Sequence, residues 1–126
     1  MSRILVVDDD ESVRQVLRSF IELEGHEVVE ADSAISARQA LANGTVDLAF
    51  LDVSMPGESG VSLCRSIKED PECQGIKVVI LTGYDGERSW RQGLGSGPDL
   101  FAVKPVNRER VKVLLAELLP SKEPQE

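Results

Sequence analysis

The chain has 126 residues, 41% of them hydrophobic and 29% charged, with a formal net charge of −8. That length supports a single domain that buries a core without disulfide or metal staples, and the surplus of acid opposes direct binding to nucleic acid. No stretch has the apolar length of a membrane span, and no basic region precedes a signal-like core at the N-terminus, so the chain reads as cytoplasmic and free of membrane.

Taken in chain order, Ile4-Leu5-Val6-Val7 predicts a buried strand that runs into Asp8-Asp9-Asp10. A first helix follows, with Val13, Val16, Leu17, Phe20 and Ile21 on one face at a 3.6-residue period, and Gly25 ends it as a C′ glycine. His26 then reads as a loop residue with no second metal-ligand candidate beside it. Glu27 to Ala31 predicts a short strand at an edge, and Ser33 caps a second helix holding Ile35, Ala37 and Leu41 that stops at Asn43-Gly44. Leu48-Ala49-Phe50-Leu51 predicts a third strand closed by Asp52, and Val53-Ser54-Met55-Pro56-Gly57 forms the turn after it.

The third helix is expected from about Gly60 to Asp70 with Val61, Cys64 and Ile67 inward, and Pro71 follows its end. Cys64 on that face reads as a buried inert thiol and Cys73 as a loop residue; their spacing fits neither a metal knuckle nor a CxxC motif. Val78-Val79-Ile80-Leu81 predicts a fourth strand that ends on Thr82. A fourth helix is expected near Asp85 to Leu94; it carries Trp90, and Gly93, Gly95, Gly97 and Pro98 crowd its end. Leu100-Phe101-Ala102-Val103 predicts the last strand, running into Lys104-Pro105, and Asn107 caps a last helix striped by Val111, Leu114, Leu115 and Leu118. The domain is expected over residues 1–119, with 120–126 a polar tail or linker stub. Five alternations of strand and helix predict an α/β fold, a parallel sheet covered on both faces.

In such a sheet the carboxyl ends of the strands share one edge, where ligands bind. Asp8, Asp9, Asp52, Thr82 and Lys104 all stand at strand ends. Each alone has an ordinary reading: Asp as a helix cap, Asp52 as a turn residue, Thr82 as a strand residue, Lys104 as a surface lysine. Their coincidence at one edge is what points to a site. Two carboxylates ~4 Å apart repel by about 4 kcal/mol at an effective dielectric near 20, so the acids call for a divalent cation, and all-oxygen donors suit Mg²⁺ or Mn²⁺. Asp52 can then act as a carboxylate nucleophile that forms an aspartyl phosphate. Lys104 offsets charge on the phosphoryl oxygens, and Thr82 donates its hydroxyl to one of them.

The motifs Ile4-Leu5-Val6-Val7-Asp8-Asp9, Asp52-Val53-Ser54-Met55-Pro56-Gly57 with Gly60, Leu81-Thr82-Gly83 and Phe101-Ala102-Val103-Lys104-Pro105 stand in an order and spacing that resemble the receiver domain of two-component response regulators, over about residues 3–119. The resemblance implies a flavodoxin-like, doubly wound, three-layer α/β/α fold with five parallel strands in order 2-1-3-4-5; a receiver of that order is an example in the general rule for such folds. It implies that Asp52 accepts a phosphoryl group from a sensor histidine kinase or a histidine phosphotransfer protein. It further implies that Asp9 binds Mg²⁺ directly, that Asp8 acts through water, and that Ser54 offers its backbone carbonyl. Lys104-Pro105 is expected to be a cis peptide.

The same resemblance implies a switch. Phosphate on Asp52 draws Thr82 inward and lets Phe101 turn from exposed to buried, so that the surface of the fourth helix, fifth strand and last helix changes its partner or output domain. The plain alternative for Phe101 is a core aromatic. Ser54 and Tyr84 occupy positions that tune phosphoryl lifetime, and a homodimer through the last two helices fits the family. Asp10 as a third acid, Gly83 after Thr82, and Pro98 in place of the usual alanine depart from the family pattern; Asp10 is expected to point outward.

Other classes fit less well. Phosphohydrolases resembling haloacid dehalogenases want a second acid two residues after the nucleophile, and position 54 is Ser. A flavin-phosphate module needs a Ser/Thr-rich loop where three aspartates stand, and Gly93-Leu94-Gly95-Ser96-Gly97 lies in the wrong order for a dinucleotide fingerprint. The reading is therefore a signalling phosphoacceptor, with no enzyme activity beyond its own phosphorylation and dephosphorylation. A phosphate-independent interaction domain of the same shape is the alternative.

Overall fold

The protein is described by a computed structural model over residues 2–83 and 98–119. Strands β1 (Arg3–Val7), β2 (Glu27–Ala31), β3 (Leu48–Asp52), β4 (Lys77–Thr82) and β5 (Leu100–Val103) form one sheet in the order β2-β1-β3-β4-β5, and every pairing is parallel. The described helices are α1 (Glu11–Leu23), α2 (Ala34–Ala42), α3 (Gly60–Glu69) and α4 (Arg108–Leu118). The parallel sheet covered on both faces is the one the alternating pattern predicts, and its order is the one the family resemblance implies.

Strand periodicity sorts the core into two layers. Leu5, Val7, Ala49, Leu51, Val78 and Ile80 face α2 and α3, whereas Ile4, Val6, Leu48, Phe50, Val79 and Leu81 face α1 and α4. All five residues of β3 are buried, which is why that strand reads as a continuous apolar run rather than an alternating one.

The helices start where short polar side chains can hold free amides. Asp10 caps α1, Ser33 caps α2 within a capping box, Ser59 caps α3 and Asn107 caps α4. Gly25 takes φ +88° just after α1, and its N–H reaches the Glu22 carbonyl, so the helix ends there in the left-handed turn that glycine permits.

Three inward faces differ in detail from expectation. On α1 only Leu17 and Ile21 are buried, Val13 and Phe20 flank them, and Val16 is 48% exposed at the margin of the stripe. On α2 the buried residues are Ala34 and Ala37, small enough for close approach to the sheet, and Ile35 points away at 72% exposure. On α3 the frame runs Gly60, Leu63, Cys64 and Ile67, a spacing of three, four and seven, so Leu63 takes an inward place and Val61 is half-buried.

Cys64 is buried, and burial pushes its thiol up to about 11; Cys73 ends a short 3₁₀ turn, Pro71–Cys73, and is half-buried. His26 is half-buried too, and its Nδ1 accepts the Ser2 N–H at 3.1 Å. No described helix is long and apolar enough to cross a membrane. Tyr84, the helix expected near Asp85 to Leu94 with Trp90, the glycine-rich run after it and the tail 120–126 lie outside the described residues.

Candidate functional site

The register of the sheet builds the site. Val7 pairs with Leu51, Asp52 with Leu81 and Thr82 with Val103, so Asp8, Asp52, Thr82 and Lys104 arrive side by side at the carboxyl edge. Asp8, Asp52 and Thr82 are 0%, 4% and 3% exposed; apart from Ser2 they are the buried polar residues among those described. Burying such groups is costly unless they are paired, and their concentration at one edge makes it the candidate site.

Lys104 supplies the pairing. Its Nζ lies 2.9 Å from Asp8 Oδ2 and 2.9 Å from Asp52 Oδ1. The Lys104-Pro105 peptide is cis, and the Lys104 N–H donates to the Thr82 carbonyl at 2.8 Å, which ties the loop after β5 to the end of β4. Burial pushes the Asp52 carboxyl up from its ordinary range, and the charge of Asp8 adds to this; Lys104 and the Ser54 backbone N–H pull the other way without cancelling it. Burial works against the Lys104 charge, but the Asp52 and Asp8 carboxylates outweigh it and hold the ammonium above its ordinary value.

The donor set fits a divalent cation. One carboxylate oxygen each from Asp8, Asp9 and Asp52 lie within 4.8 Å of one another. Asp8 Oδ1 accepts the Asp10 N–H at 2.9 Å. Asp8 Oδ2 is buried, and Lys104 Nζ lies 2.9 Å from it. A buried carboxylate oxygen with spare capacity beside an exposed acid suits a hard oxygen-seeking ion.

Asp10 stands apart from this trio. It accepts the Ser12 N–H at 2.9 Å and the Ser12 hydroxyl at 2.7 Å, and the hydroxyl holds its carboxyl below the usual range. Ser54 is exposed two residues past Asp52. Phe101 is 7% exposed and packs with the α2/α3 layer, so its ring lies inside in this structure. Tyr84 lies outside the described residues.

Two residues near the site carry contacts that sequence reasoning did not assign. A Cβ built on Gly60 would meet the Asp52 carbonyl oxygen at 2.0 Å, so α3 starts flush against the end of β3. Arg14 donates from Nη1 to the Asp8 carbonyl at 2.7 Å. The available signal was a basic residue one turn into the helix that follows the acids.

The Response regulator receiver domain model matches residues 4–116. Response regulator PleD of Caulobacter vibrioides is 40% identical over 106 residues, 84% of this chain and 23% of its own length. Transcriptional regulatory protein ResD of Bacillus subtilis is 33% identical over 118 residues, 94% of this chain and 48% of its own. The chain thus spans about a quarter to a half of these curated relatives. Response regulator protein TrrA of Thermotoga maritima, solved in complex with Mg²⁺-BeF, superposes with a TM-score of 0.83 at 32% identity, over 94% of this chain and 100% of that one. Receiver domains bind Mg²⁺ at an acidic pocket and serve as phosphoacceptors without a separate catalytic activity. With the sheet order, the acid cluster and these matches in agreement, the chain belongs to the response regulator receiver domain family.

Proposed function

We propose that Asp52 is the phosphoryl acceptor of a two-component switch and that Asp8, Asp9 and Asp52, with the Ser54 backbone carbonyl, hold Mg²⁺. Mn²⁺ suits the same oxygen donors. The observation that carries the proposal is the buried Asp52 carboxylate, 2.9 Å from Lys104 Nζ and inside the acid trio. A bound cation neutralises the crowded carboxylates and the incoming phosphoryl oxygens.

The remaining roles belong to the chain. An Asp52 carboxylate oxygen forms a bond to phosphorus as the phosphorus–nitrogen bond of a donor phosphohistidine breaks. The imidazole nitrogen leaves with that electron pair. Lys104 Nζ, already between the two carboxylates, is placed to follow the negative charge onto the phosphoryl group. The Thr82 hydroxyl, one strand over, donates to a phosphoryl oxygen. The donor is a histidine kinase or a histidine phosphotransfer protein, and Ser54 and Tyr84 set the lifetime of the product.

Phosphorylation then favours Thr82 drawn toward the phosphoryl group with Phe101 inside. The register that pairs Ile80 with Phe101 and Thr82 with Val103 supports this coupling, because both residues lie on one strand pair. A ligand shifts such an equilibrium only by its differential affinity for the two states. The proposed output surface is that of β5, α4 and the fourth helix that the sequence predicts near Asp85 to Leu94, and it is read by a partner or a linked domain.

Intact-mass measurement after incubation with acetyl phosphate tests the proposal. One phosphate adduct is expected with Mg²⁺, none with chelator, and none in Asp52→Asn. An adduct that persists in Asp52→Asn would contradict it.

A further inference from the structure

The main chain of Asp8 is held at both its polar atoms, by the edge strand directly and by Arg14 of α1, which the edge strand clamps. Its N–H donates to the Ala31 carbonyl at the end of β2, 3.1 Å away. Its carbonyl accepts Nη1 of Arg14 at 2.7 Å, and the same guanidinium donates through Nε to Glu30 Oε1 on β2 at 2.9 Å. Arg14 is only 15% exposed at its side chain and Glu30 is 23% exposed. The second carboxylate oxygen of Glu30 accepts Nη1 of Arg18 at 2.9 Å, and Arg18 in turn reaches Glu22 at 2.9 Å. Glu30 is thereby fixed from two successive turns of α1.

We infer that Arg14 is a positioning residue for the cation site: clamped by Glu30, it holds the Asp8 carbonyl and so sets the turn that presents the Asp8 and Asp9 carboxylates. This rests on the reading of those acids as a metal site. The geometry separates two effects of opposite sign. A guanidinium bound to the main chain of the acid turn opposes a divalent cation there by charge, so its removal on Coulomb grounds alone tightens metal binding. As a brace for the liganding turn, its removal loosens the ligands and weakens binding; groups that orient metal ligands are worth roughly 10- to 100-fold in affinity.

The direction of change is decisive. Mg²⁺ dissociation constants from titration calorimetry on the full chain, with no phosphoryl donor present, would compare the unsubstituted protein with Arg14→Met, Arg14→Lys and Glu30→Gln. Thermal denaturation in chelator would run alongside. Arg14→Met is expected to weaken Mg²⁺ binding by about tenfold or more, and Glu30→Gln, which keeps Arg14 but frees its clamp, by less. Arg14→Lys should recover only part, because a single ammonium cannot serve the carbonyl and the carboxylate in the guanidinium's fork.

If Arg14→Met fails to fold, Glu30→Gln carries the test. Unchanged or tighter Mg²⁺ binding in the folded variants would overturn the inference, as would lowered thermal stability with an unchanged dissociation constant. No Mg²⁺ binding by the unsubstituted protein would overturn the metal reading itself, and the brace with it.

Discussion

At the scale of single residues, Asp52 carries opposing demands. The nucleophilic role proposed for it needs the ionised form, yet burial and the charge of Asp8 raise its folded value above the ordinary 3.8. A carboxyl whose folded value is raised binds its proton more tightly in the fold than in the unfolded chain, so its ionisation costs stability at every pH above that window. Asp52→Asn removes the ionisation and leaves Lys104 paired with Asp8. The variant is expected to unfold at a higher temperature than the unsubstituted protein at pH 7 in chelator. The gap should close as pH falls and Asp52 takes its proton. Thermal denaturation at several pH values checks this, and a lower midpoint for Asp52→Asn at pH 7 would contradict it. The strand-end residues Asp8, Asp52, Thr82 and Lys104 were legible because their chemistry coincides at the ends of strongly apolar runs. Arg14 was not, because a surface-type residue in an amphipathic helix shows its role only when the main chain it grips is in place.

Between elements, the contact that matters most is where α3 begins against the end of β3. A side chain at Gly60 would sit 2.0 Å from the Asp52 carbonyl oxygen and 2.7 Å from its carbon. Backbone cannot yield as a flexible side chain does, so Gly60→Ala must move β3, α3 or both. The expected cost is about 1–3 kcal/mol, typical of overpacking, with slower phosphorylation by acetyl phosphate because the acceptor is displaced. Normal phosphorylation in a folded Gly60→Ala variant would show that the close approach is immaterial. The caps and apolar stripes gave the helix positions from sequence: Ser33, Asn107 and Gly25 stand at the ends they predict. Inward faces were less legible. Periodicity alone does not say how wide a stripe the sheet will cover, which is why Val16 and Ile35 remain outside; nor does it set the frame of α3, where the Gly60 contact places Leu63 inward.

Over the whole molecule, part of the acid stability comes from carboxylates held ionised by arginine and hydroxyl donors. Glu30 is held below its ordinary 4.5 first by the hydrogen bond from Arg18, and Glu58 below the same value first by the Ser62 hydroxyl, with Arg38 behind it. For a carboxyl whose folded value is depressed, the stabilisation is present above the unfolded value and lost as pH falls through the folded one. Stability should therefore decline below about pH 4.5, and Glu30→Gln should flatten part of that decline. Denaturation midpoints between pH 7 and pH 3 check it, and an unchanged profile in Glu30→Gln would contradict it. The fold was legible at this scale because five apolar runs, each followed by a helical pattern, admit few arrangements other than a parallel sheet.

The measurement that tests the central claim most directly is chemical trapping of the phosphorylated residue. Borohydride reduction of the acetyl phosphate-treated protein converts an aspartyl phosphate to homoserine, which peptide sequencing by mass spectrometry locates. Homoserine at position 52 alone, formed only with Mg²⁺, is the predicted result; its appearance at position 8 or 9, or a phosphate adduct that yields none, would contradict the account.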